Sequence, residues 1–353
     1  MPPGAAGEDV AVESHDAVKE GVVAEQARTM ERILYEVKKV IVGQDHLLER
    51  VLVALLSDGH LLVEGVPGLA KTLTVKTLAA ATQGVFKRIQ FIPDLVPADL
   101  IGTRIYNQRT GEFSTSLGPV FANLLLADEI NRAPAKVQSA LLEVMQERQV
   151  TIGGEAFPVP APFLVMATQN PIETDGTYPL PEAQIDRFMM KVLVDYPSEP
   201  EEFVIVQRAA GAAARVAAVV STRQILELRS ACERVFVDPL LMQHAVRLAA
   251  ATRNPVQHGI PDIARYIIYG ASPRASINLV IASRALALVR GRSYVVPQDV
   301  TDLVHDVMRH RIIPSYEALA DGVTTDAILQ KVMQAVPAPA QPLQSHAAAI
   351  AGS

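Results

Sequence analysis

The segment Gly65-Val66-Pro67-Gly68-Leu69-Ala70-Lys71-Thr72 decides the fold of this chain. It follows an apolar run at residues 61–63 and precedes a helix-like pattern that begins at Leu73. This order of strand, glycine-bearing loop and helix is that of a phosphate-binding loop, whose backbone N–H groups and helix N-terminus face an anion. In such a loop Lys71 reaches the β- and γ-phosphates, and the Thr72 hydroxyl binds Mg²⁺. Ala70 departs from the general pattern, which has a glycine at this position.

The composition is that of a globular chain. Its 353 residues are enough for two domains, and 49% hydrophobic with 20% charged residues is the balance of a folded protein. The net charge of −6 provides no global attraction for nucleic acid. The single cysteine, Cys232, has no partner for a disulfide or a metal site, so we expect it in the core. Because no apolar run approaches the ~18 residues of a membrane span, and the acidic N-terminus lacks a signal-peptide pattern, we expect a soluble cytoplasmic protein without membrane insertion.

Short β-type runs alternate with helical patterns up to Pro197. The runs are almost continuously apolar, which is typical of parallel strands covered on both faces. They span residues 61–64, 88–92, 123–127, 163–167 and 189–194. After Pro197 the strands stop, and helix start signals follow at Ser198, Asp238-Pro239 and Ser272-Pro273, with Gly291 as a stop signal. The predicted fold class is α/β with a parallel sheet, followed by an all-α domain.

Four segments are predicted along the chain. Residues 1–25 form a disordered arm and residues 336–353 a disordered tail, because both are rich in small residues and proline. An α/β domain spans residues 26–197, and a helical domain spans residues 198–335. Two insertions in the α/β domain, at about 101–118 and 150–160, each predict a β-hairpin around a glycine-bearing turn. Such insertions often carry function, although a tolerated surface loop explains the residues equally well.

Two acids end the third predicted strand. Asp128 and Glu129 follow its apolar residues, and ligands bind at the carboxyl ends of strands in an open α/β sheet. We expect Asp128 to bind Mg²⁺ opposite Thr72, and Glu129 to orient and deprotonate the attacking water. Solvated acids at a strand end are the alternative, which the preceding phosphate loop disfavours. The fourth strand ends at Asn170, whose amide suits the γ-phosphate or the water, although Asn-Pro is also an ordinary turn signal.

Two arginines complete the set of candidate residues. Arg187, in Glu182-Ala183-Gln184-Ile185-Asp186-Arg187-Phe188, lies too far along the fold to serve its own loop, so we expect it at a neighbouring subunit's nucleotide. A surface pair between Asp186 and Arg187 is the alternative. Arg274 follows Ser272-Pro273 in the first turn of a helix, where a cation is disfavoured, and this mismatch favours a phosphate-facing role.

The ordered set GVPGLAKT, LLLADEINRAP, ATQNP, EAQIDRF and GASPRA resembles the MoxR family of AAA+ ATPases. The similarity covers residues 30–335, and alanine in place of the last loop glycine is typical of this family. The resemblance implies a P-loop AAA+ core with a five-stranded sheet and a helical lid. It also implies Walker A at residues 65–72, Walker B at residues 124–129, sensor 1 at Asn170, an arginine finger at Arg187 and sensor 2 at Arg274. Val42-Gly43-Gln44 resembles the segment that packs on adenine; locally it is a turn before a helix at residues 45–56.

The resemblance implies an ATP- and Mg²⁺-dependent hydrolase that binds its nucleotide between the two domains. It implies a homo-oligomer, most simply a hexameric ring, that serves chaperone-like remodelling or metal-cofactor insertion in an unidentified client, with a von Willebrand factor A domain partner. Two alternatives remain open at this point. A nucleic-acid motor would need clustered cations on its hairpins, and the first hairpin has only Arg104 and Arg109 while the second has none. A slow nucleotide-gated scaffold is disfavoured because Lys71, Asp128 and Glu129 are all present.

Overall fold

A five-stranded parallel sheet forms the centre of the first half of the chain. The computed structural model describes residues 25–66, 68–171, 176–211 and 214–339. The five strands are β1 (Leu61–Glu64), β2 (Phe86–Gln90), β5 (Leu124–Asp128), β8 (Leu164–Gln169) and β9 (Met190–Leu193). Their order in the sheet is β2-β5-β8-β1-β9, so β1 lies between β8 and β9. All four neighbouring pairs are parallel, as the apolar runs predict.

Each face of the sheet packs on its own apolar core. Side chains alternate along β1, so Leu61 and Val63 enter one core and Leu62 enters the other. This alternation explains why the strands are apolar at consecutive positions. The first core continues into the C-terminal helices, where it includes Leu279 and Leu303. The sheet and the helical part are therefore packed against each other through shared apolar side chains.

Helices cover the sheet and connect its strands. The prediction of a helix at residues 45–56 is confirmed, and the helix after the phosphate loop begins two residues earlier than predicted. The helices up to the last strand are α1 (25–38), α2 (Asp45–Leu56), α3 (Lys71–Ala81), α4 (Pro97–Ile101), α5 (Ala135–Glu147) and the short α6 (Glu182–Ile185). A 3₁₀ turn, Ile130–Arg132, follows the acids that end β5.

Both predicted hairpins are confirmed. The first pairs β3 (Gly102–Asn107) with β4 (Glu112–Leu117), and the second pairs β6 (Gln149–Ile152) with β7 (Glu155–Pro158). The Arg104 guanidinium joins them by donating to the Gly153 carbonyl oxygen at 3.3 Å. The two insertions therefore contact each other on one side of the sheet.

The second half of the chain is mainly helical. Asp238 caps its helix as predicted, accepting a bond from the Leu240 N–H at 2.8 Å, and Gly291 follows the end of α10 with φ +75°. Cys232 is buried, and burial raises the pKa of its thiol to about 12. The helices are α7 (Glu199–Ala210), α8 (Thr222–Glu233), α9 (Pro239–Arg253), α10 (Pro273–Val289), α11 (Pro297–Met308), α12 (Tyr316–Ala320) and α13 (Thr325–Ala335), with 3₁₀ turns at Val256–His258, Pro261–Tyr266 and Arg309–Arg311.

Two expectations about strands are wrong. Strands do not stop at Pro197, because β10 (Ile267–Tyr269) pairs antiparallel with β11 (Ile313–Pro314) inside the helical part. These strands are too short to leave a period-two pattern in the sequence. The second sheet strand ends at Gln90, two residues before the predicted end at Ile92. The arm predicted at residues 1–25 and the tail predicted at residues 336–353 lie almost wholly outside the described ranges. No helix within those ranges is long and apolar enough to cross a membrane.

Candidate active site

The carboxyl ends of three strands bring the predicted phosphate-binding groups together. The loop that starts at Gly65 follows β1, Asp128 ends β5, and Asn170 follows β8. These three strands are neighbours in a parallel sheet, so their ends meet at one edge. Lys71 opens α3 at the same edge. Pro67 lies outside the described residues.

The phosphate loop has a strained turn at its entry to α3. Ala70 adopts φ +57° and ψ +16°, a left-handed conformation that costs a non-glycine residue about 1–2 kcal/mol. This is the position where the general motif has glycine, so the loop keeps the glycine-type backbone although the residue is alanine. At Gly65 a Cβ atom would lie 2.4 Å from the Val194 carbonyl oxygen, so a side chain does not fit there. The backbone at Gly65 and Ala70 is therefore of the kind that a phosphate-binding loop needs, despite the substitution.

Lys71 is held near the acids of the site. Its amine donates to the Gly65 carbonyl oxygen at 2.5 Å. Partial burial lowers the pKa of this amine below its ordinary value, and the negative charges of Asp128, Glu64 and Glu129 oppose that shift. The predicted phosphate-binding cation and both Walker B acids therefore share one electrostatic environment.

Asp128 has both carboxylate oxygens occupied. Its Oδ1 accepts a bond from the Thr168 hydroxyl at 2.6 Å, and its Oδ2 accepts from Arg88 Nε at 3.1 Å and Nη2 at 2.7 Å. Thr72, the other predicted metal ligand, is the second residue of α3 and is half-buried. A cation, the Arg88 guanidinium, therefore already lies on Oδ2 of the predicted metal ligand Asp128.

Glu129 is fixed by neighbours on three elements. Its Oε2 accepts a bond from Gln90 Nε2 at 2.8 Å and lies 3.2 Å from Arg132 Nε, while its backbone N–H donates to the Thr168 hydroxyl oxygen at 2.9 Å. The residue has φ +56°, and such strained backbone is concentrated at functional sites. Within the described ranges no hydrogen bond occupies Oε1. This oxygen can therefore accept a proton from a water without breaking the contacts of Oε2.

The predicted adenine-binding segment borders the same edge. Gln44 begins α2 in a left-handed conformation, and its amide donates to the Asp195 carbonyl oxygen at 3.4 Å. A Cβ atom on Gly43 would lie 2.5 Å from Glu201 Oε1, so the glycine permits the close approach of α7. Val42 is half-buried beside them. A base bound here would lie between the start of α2 and the start of α7.

The two predicted arginines lie at the opposite edge of the sheet. Arg187 precedes β9, whose first residue, Met190, pairs with Leu61 at the start of β1. Since β9 spans four residues at about 3.3 Å each, Arg187 is separated from the phosphate loop by roughly the 13 Å length of the strand. Arg274 joins it there, because Arg274 Nη1 lies 3.9 Å from Asp186 Oδ2.

The position of the nucleotide between the two predicted domains stays a prediction, and the predicted adenine-binding segment does contact the start of α7, the first helix of the predicted helical domain. Arg274 opens α10, which packs against α2, and its guanidinium lies beside Asp186. The alternative of a surface pair between Asp186 and Arg187 is wrong. Asp186 pairs with Arg311 instead, and the exposed Arg187 guanidinium bonds to none of the described residues.

Three polar residues of the site were absent from the sequence prediction. The predicted strand runs two residues beyond Gln90, so the sequence does not place this residue at a strand end. Thr168 is buried at the end of the apolar strand β8, and a polar residue in that position of the sequence is a usable signal. Arg88 lies diagonally across from Asp128, and only the register of β2 against β5 reveals this proximity.

Comparisons with known proteins agree with this geometry. Residues 60–190 match the sequence model described as the ATPase family associated with various cellular activities (AAA), and residues 262–332 match the AAA lid domain. The chain is 56% identical over 330 residues to Chaperone MoxR1 of Mycobacterium tuberculosis, covering 93% of this chain and 87% of that one. The chain belongs to the MoxR family of AAA+ ATPases.

Two further relatives of this MoxR-family chain support the assignment. Protein MoxR of Paracoccus denitrificans is 33% identical over 321 residues, which cover 85% of this chain and 94% of that protein. The crystal structure of a candidate ATPase from Cytophaga hutchinsonii superposes with a TM-score of 0.87 at 46% identity, covering 93% of this chain and 99% of the other. The protein is therefore an ATPase with an AAA+ core and lid.

Proposed function

We propose that this ATPase works as a ring in which each nucleotide site is completed by Arg187 of the neighbouring subunit. The observation that carries the proposal is the position of Arg187, whose exposed guanidinium bonds to none of the described residues and lies at the sheet edge opposite its own phosphate loop. A head-to-tail contact between subunits would bring this edge of one copy to the phosphate loop of the next. Such heterologous contacts close into rings, and a hexamer is the size we propose.

Within each subunit we propose distinct roles for the groups at the phosphate edge. Lys71 and the N–H groups of the loop bind the phosphates, and the segment 42–44 packs on adenine. Glu129 takes a proton from the attacking water through Oε1, which no described residue occupies, while Gln90 and Arg132 hold Oε2 and so fix the carboxylate. Asn170 orients the γ-phosphate or the water. Arg274 acts at the neighbour's site together with Arg187, because both lie at the same edge.

The residues present fit a Mg²⁺ ion. The Thr72 hydroxyl and the Asp128 carboxylate are hard oxygen donors of the kind that Mg²⁺ prefers. Asp128 Oδ2 already bears a cation, Arg88, at 2.7 Å. When bound, Mg²⁺ would neutralise charge on the β- and γ-phosphates. Thr168 would keep its bond to Oδ1 and so hold the Asp128 carboxylate in position.

Replacing Arg88 by glutamine should raise the affinity of the site for Mg²⁺. The variant frees Asp128 Oδ2 from an ion pair that is half-exposed and therefore worth up to ~1 kcal/mol, about fivefold in a binding constant. The measurement is the Mg²⁺ concentration that half-saturates binding of a fluorescent ATP analogue, which needs no turnover. Arg109→Gln, on the exposed hairpin turn, is the matched control. A requirement for more Mg²⁺ in the Arg88 variant would show that Arg88 assists the ion instead of competing with it.

We propose that ATP hydrolysis by the ring serves chaperone-like remodelling of client proteins or insertion of a metal cofactor into them. We propose the cytoplasm as its location and a von Willebrand factor A domain protein as its partner. The name of the Mycobacterium relative, Chaperone MoxR1, supports the chaperone role. The first hairpin supports a role in client contact, because its strands expose Ile105, Tyr106 and Phe113 to solvent. Exposed apolar side chains in a cluster are a common feature of protein-binding surfaces.

A dilution series tests the shared site directly. We expect the ATPase rate per subunit to fall as the protein is diluted below the concentration at which rings form, because an isolated subunit lacks the arginine of its neighbour. Sedimentation in the same buffer reports the ring population at each concentration. A rate per subunit that stays constant while the rings dissociate would show that each subunit is complete on its own.

A further inference from the structure

A carboxylate beside the predicted arginine finger joins the sheet to the helical part. Asp186 lies in the turn between α6 and β9. It accepts a bond from Arg311 Nε at 2.8 Å and from the Ser272 hydroxyl, which lies 3.1 Å from each carboxylate oxygen. Arg274 Nη1 is 3.9 Å from Asp186 Oδ2. One side chain next to Arg187 therefore meets three side chains of the helical part.

Arg311 fixes the backbone on both sides of Arg187. Its side chain is fully buried, and its Nη2 donates to the carbonyl oxygens of Asp186 at 3.0 Å and Phe188 at 2.6 Å. Burial lowers the pKa of Arg311 to about 10, an effect that Asp186 opposes, so the guanidinium is charged at neutral pH. Removal of the Asp186 charge would leave this buried cation without its counter-ion, which is unfavourable.

Ser272 makes an unusual contact for a residue at the start of a helix. Ser272 is the N-cap of α10 and has the extended backbone that is usual for an N-cap, but its hydroxyl accepts no hydrogen bond from a backbone N–H of the helix. An N-cap serine ordinarily accepts a bond from the first turn. Here the hydroxyl donates to Asp186, so the first turn of α10, which carries Arg274, is attached to the segment that carries Arg187.

We propose that Asp186 is a positioning residue that holds Arg187 and Arg274 together as one cationic unit for the triphosphate of the neighbouring subunit. The inference rests on the proposed function, in which the nucleotide site is shared. Two guanidinium groups suit a polyphosphate because each offers several N–H donors in a fixed plane. The Asp186 carboxylate, 3.9 Å from Arg274 Nη1 and adjacent in sequence to Arg187, offsets their mutual repulsion. The contact of Arg274 with Asp186 is long, so Arg274 can turn to a phosphate while Arg311 and Ser272 keep Asp186 in place.

The arrangement also connects the lid to the neighbour's active site. Asp186 receives its hydrogen bonds from α10 and from the 3₁₀ turn Arg309–Arg311, both in the helical part. A shift of the helical part relative to the sheet therefore moves the Arg187 segment. The position of one subunit's lid would in this way set how well the next subunit hydrolyses ATP.

A complementation experiment tests the role of Asp186. The acceptor-deficient variant, Glu129→Gln, lacks the residue that activates water in its own site, whereas the donor-deficient variant, Arg187→Ala, lacks the group given to the neighbour. We expect Asp186→Asn to lower kcat by roughly 10- to 100-fold, the cost of a misplacement of about 1 Å, with unchanged binding of ATP analogue to its own loop. Mixed with Glu129→Gln it should regain activity; mixed with Arg187→Ala it should not.

Three comparisons separate positioning from loss of structure. Asp262→Asn changes a carboxylate that forms an exposed ion pair with Lys331 elsewhere in the helical part, and it should behave as wild type. Ser272→Ala removes only the bond between α10 and Asp186, and we expect the same complementation pattern with a smaller loss of kcat. Thermal unfolding of each variant reports its stability independently of ATP.

Several outcomes would overturn the inference. One is a wild-type ATPase rate for Asp186→Asn. Another is recovery of activity when Asp186→Asn is mixed with Arg187→Ala and not when it is mixed with Glu129→Gln. If Asp186→Asn fails to fold, the deciding result is that Ser272→Ala does not show the expected complementation pattern. Mixing Glu129→Gln with Arg187→Ala separates this inference from the proposed function. If that pair does not recover activity in mixed rings, the shared site itself is wrong; if it recovers and Asp186→Asn does not follow the pattern, only the role of Asp186 is wrong.

Discussion

Glu129→Gln should bind ATP with wild-type affinity and lose almost all turnover. The amide cannot take a proton from water, and loss of a general base costs about 10²–10⁴ in rate. The fold around the residue should persist, because an amide oxygen can still accept the bonds that Gln90 and Arg132 give to Oε2. The measurements are the steady-state ATPase rate and the dissociation constant of an ATP analogue.

A matched control isolates the chemistry of Glu129 from the change in charge. Glu143→Gln alters an exposed carboxylate on α5 and should leave both the rate and the dissociation constant unchanged. If the Glu129 variant hydrolyses ATP at the wild-type rate, another residue activates the water. If it loses ATP binding instead, Glu129 has a structural role in the loop and the assignment of Walker B fails.

Arg187→Ala should reduce hydrolysis by about 10³-fold or more, because a fixed cation on the transferred phosphoryl group is worth about 10³–10⁵ in rate. The substitution should leave the fold intact, since the exposed guanidinium bonds to none of the described residues. Binding of ATP analogue to the variant's own loop should be unchanged. Arg223→Ala is the matched control, because Arg223 is 88% exposed on α8 and, among the described residues, pairs only with Glu227.

Mixing wild-type subunits with the double variant Glu129→Gln/Arg187→Ala, which is deficient both in its own site and in the group given to the neighbour, distinguishes a shared site from a private one. In a ring of random composition with equal amounts of each, a shared site needs two intact contributors, so about a quarter of the sites remain active. A finger that served its own chain would leave about half of them active. A loss in strict proportion to the variant fraction would therefore contradict the role of Arg187 in the neighbouring site.

The sheet edge that carries the phosphate loop was predictable because the local sequence around its residues identifies them. The loop at Gly65–Thr72 and the acids after β5 each follow an apolar strand directly, so strand, loop and residue type are read together. Parallel pairing then brings the strand ends to one edge without further information. The backbone at Ala70 shows that the departure from the motif changes the residue and not the shape of the loop.

The opposite edge, which carries Asp186 and Arg187, depends on contacts that local sequence patterns do not indicate. Asp186 and Arg311 are 125 positions apart, and nothing near either residue indicates the other. The same is true of β10 and β11, each of which has at most three residues. Gln90 required a strand end placed to within two residues, and amphipathic patterns do not fix boundaries that closely. The local mismatch of a cation in the first turn of a helix indicates Arg274, but its place beside Asp186 follows only from how the lid packs.

The measurement that tests the shared site most directly is the ATPase rate of Glu129→Gln mixed with Arg187→Ala. Each variant alone is inactive in this account, yet a mixed ring contains interfaces at which an intact Glu129 meets an intact Arg187 of the next subunit. With equal amounts, about a quarter of the interfaces should be complete, and activity should reappear to that extent. Mixed rings that hydrolyse no more ATP than either variant alone would contradict the account.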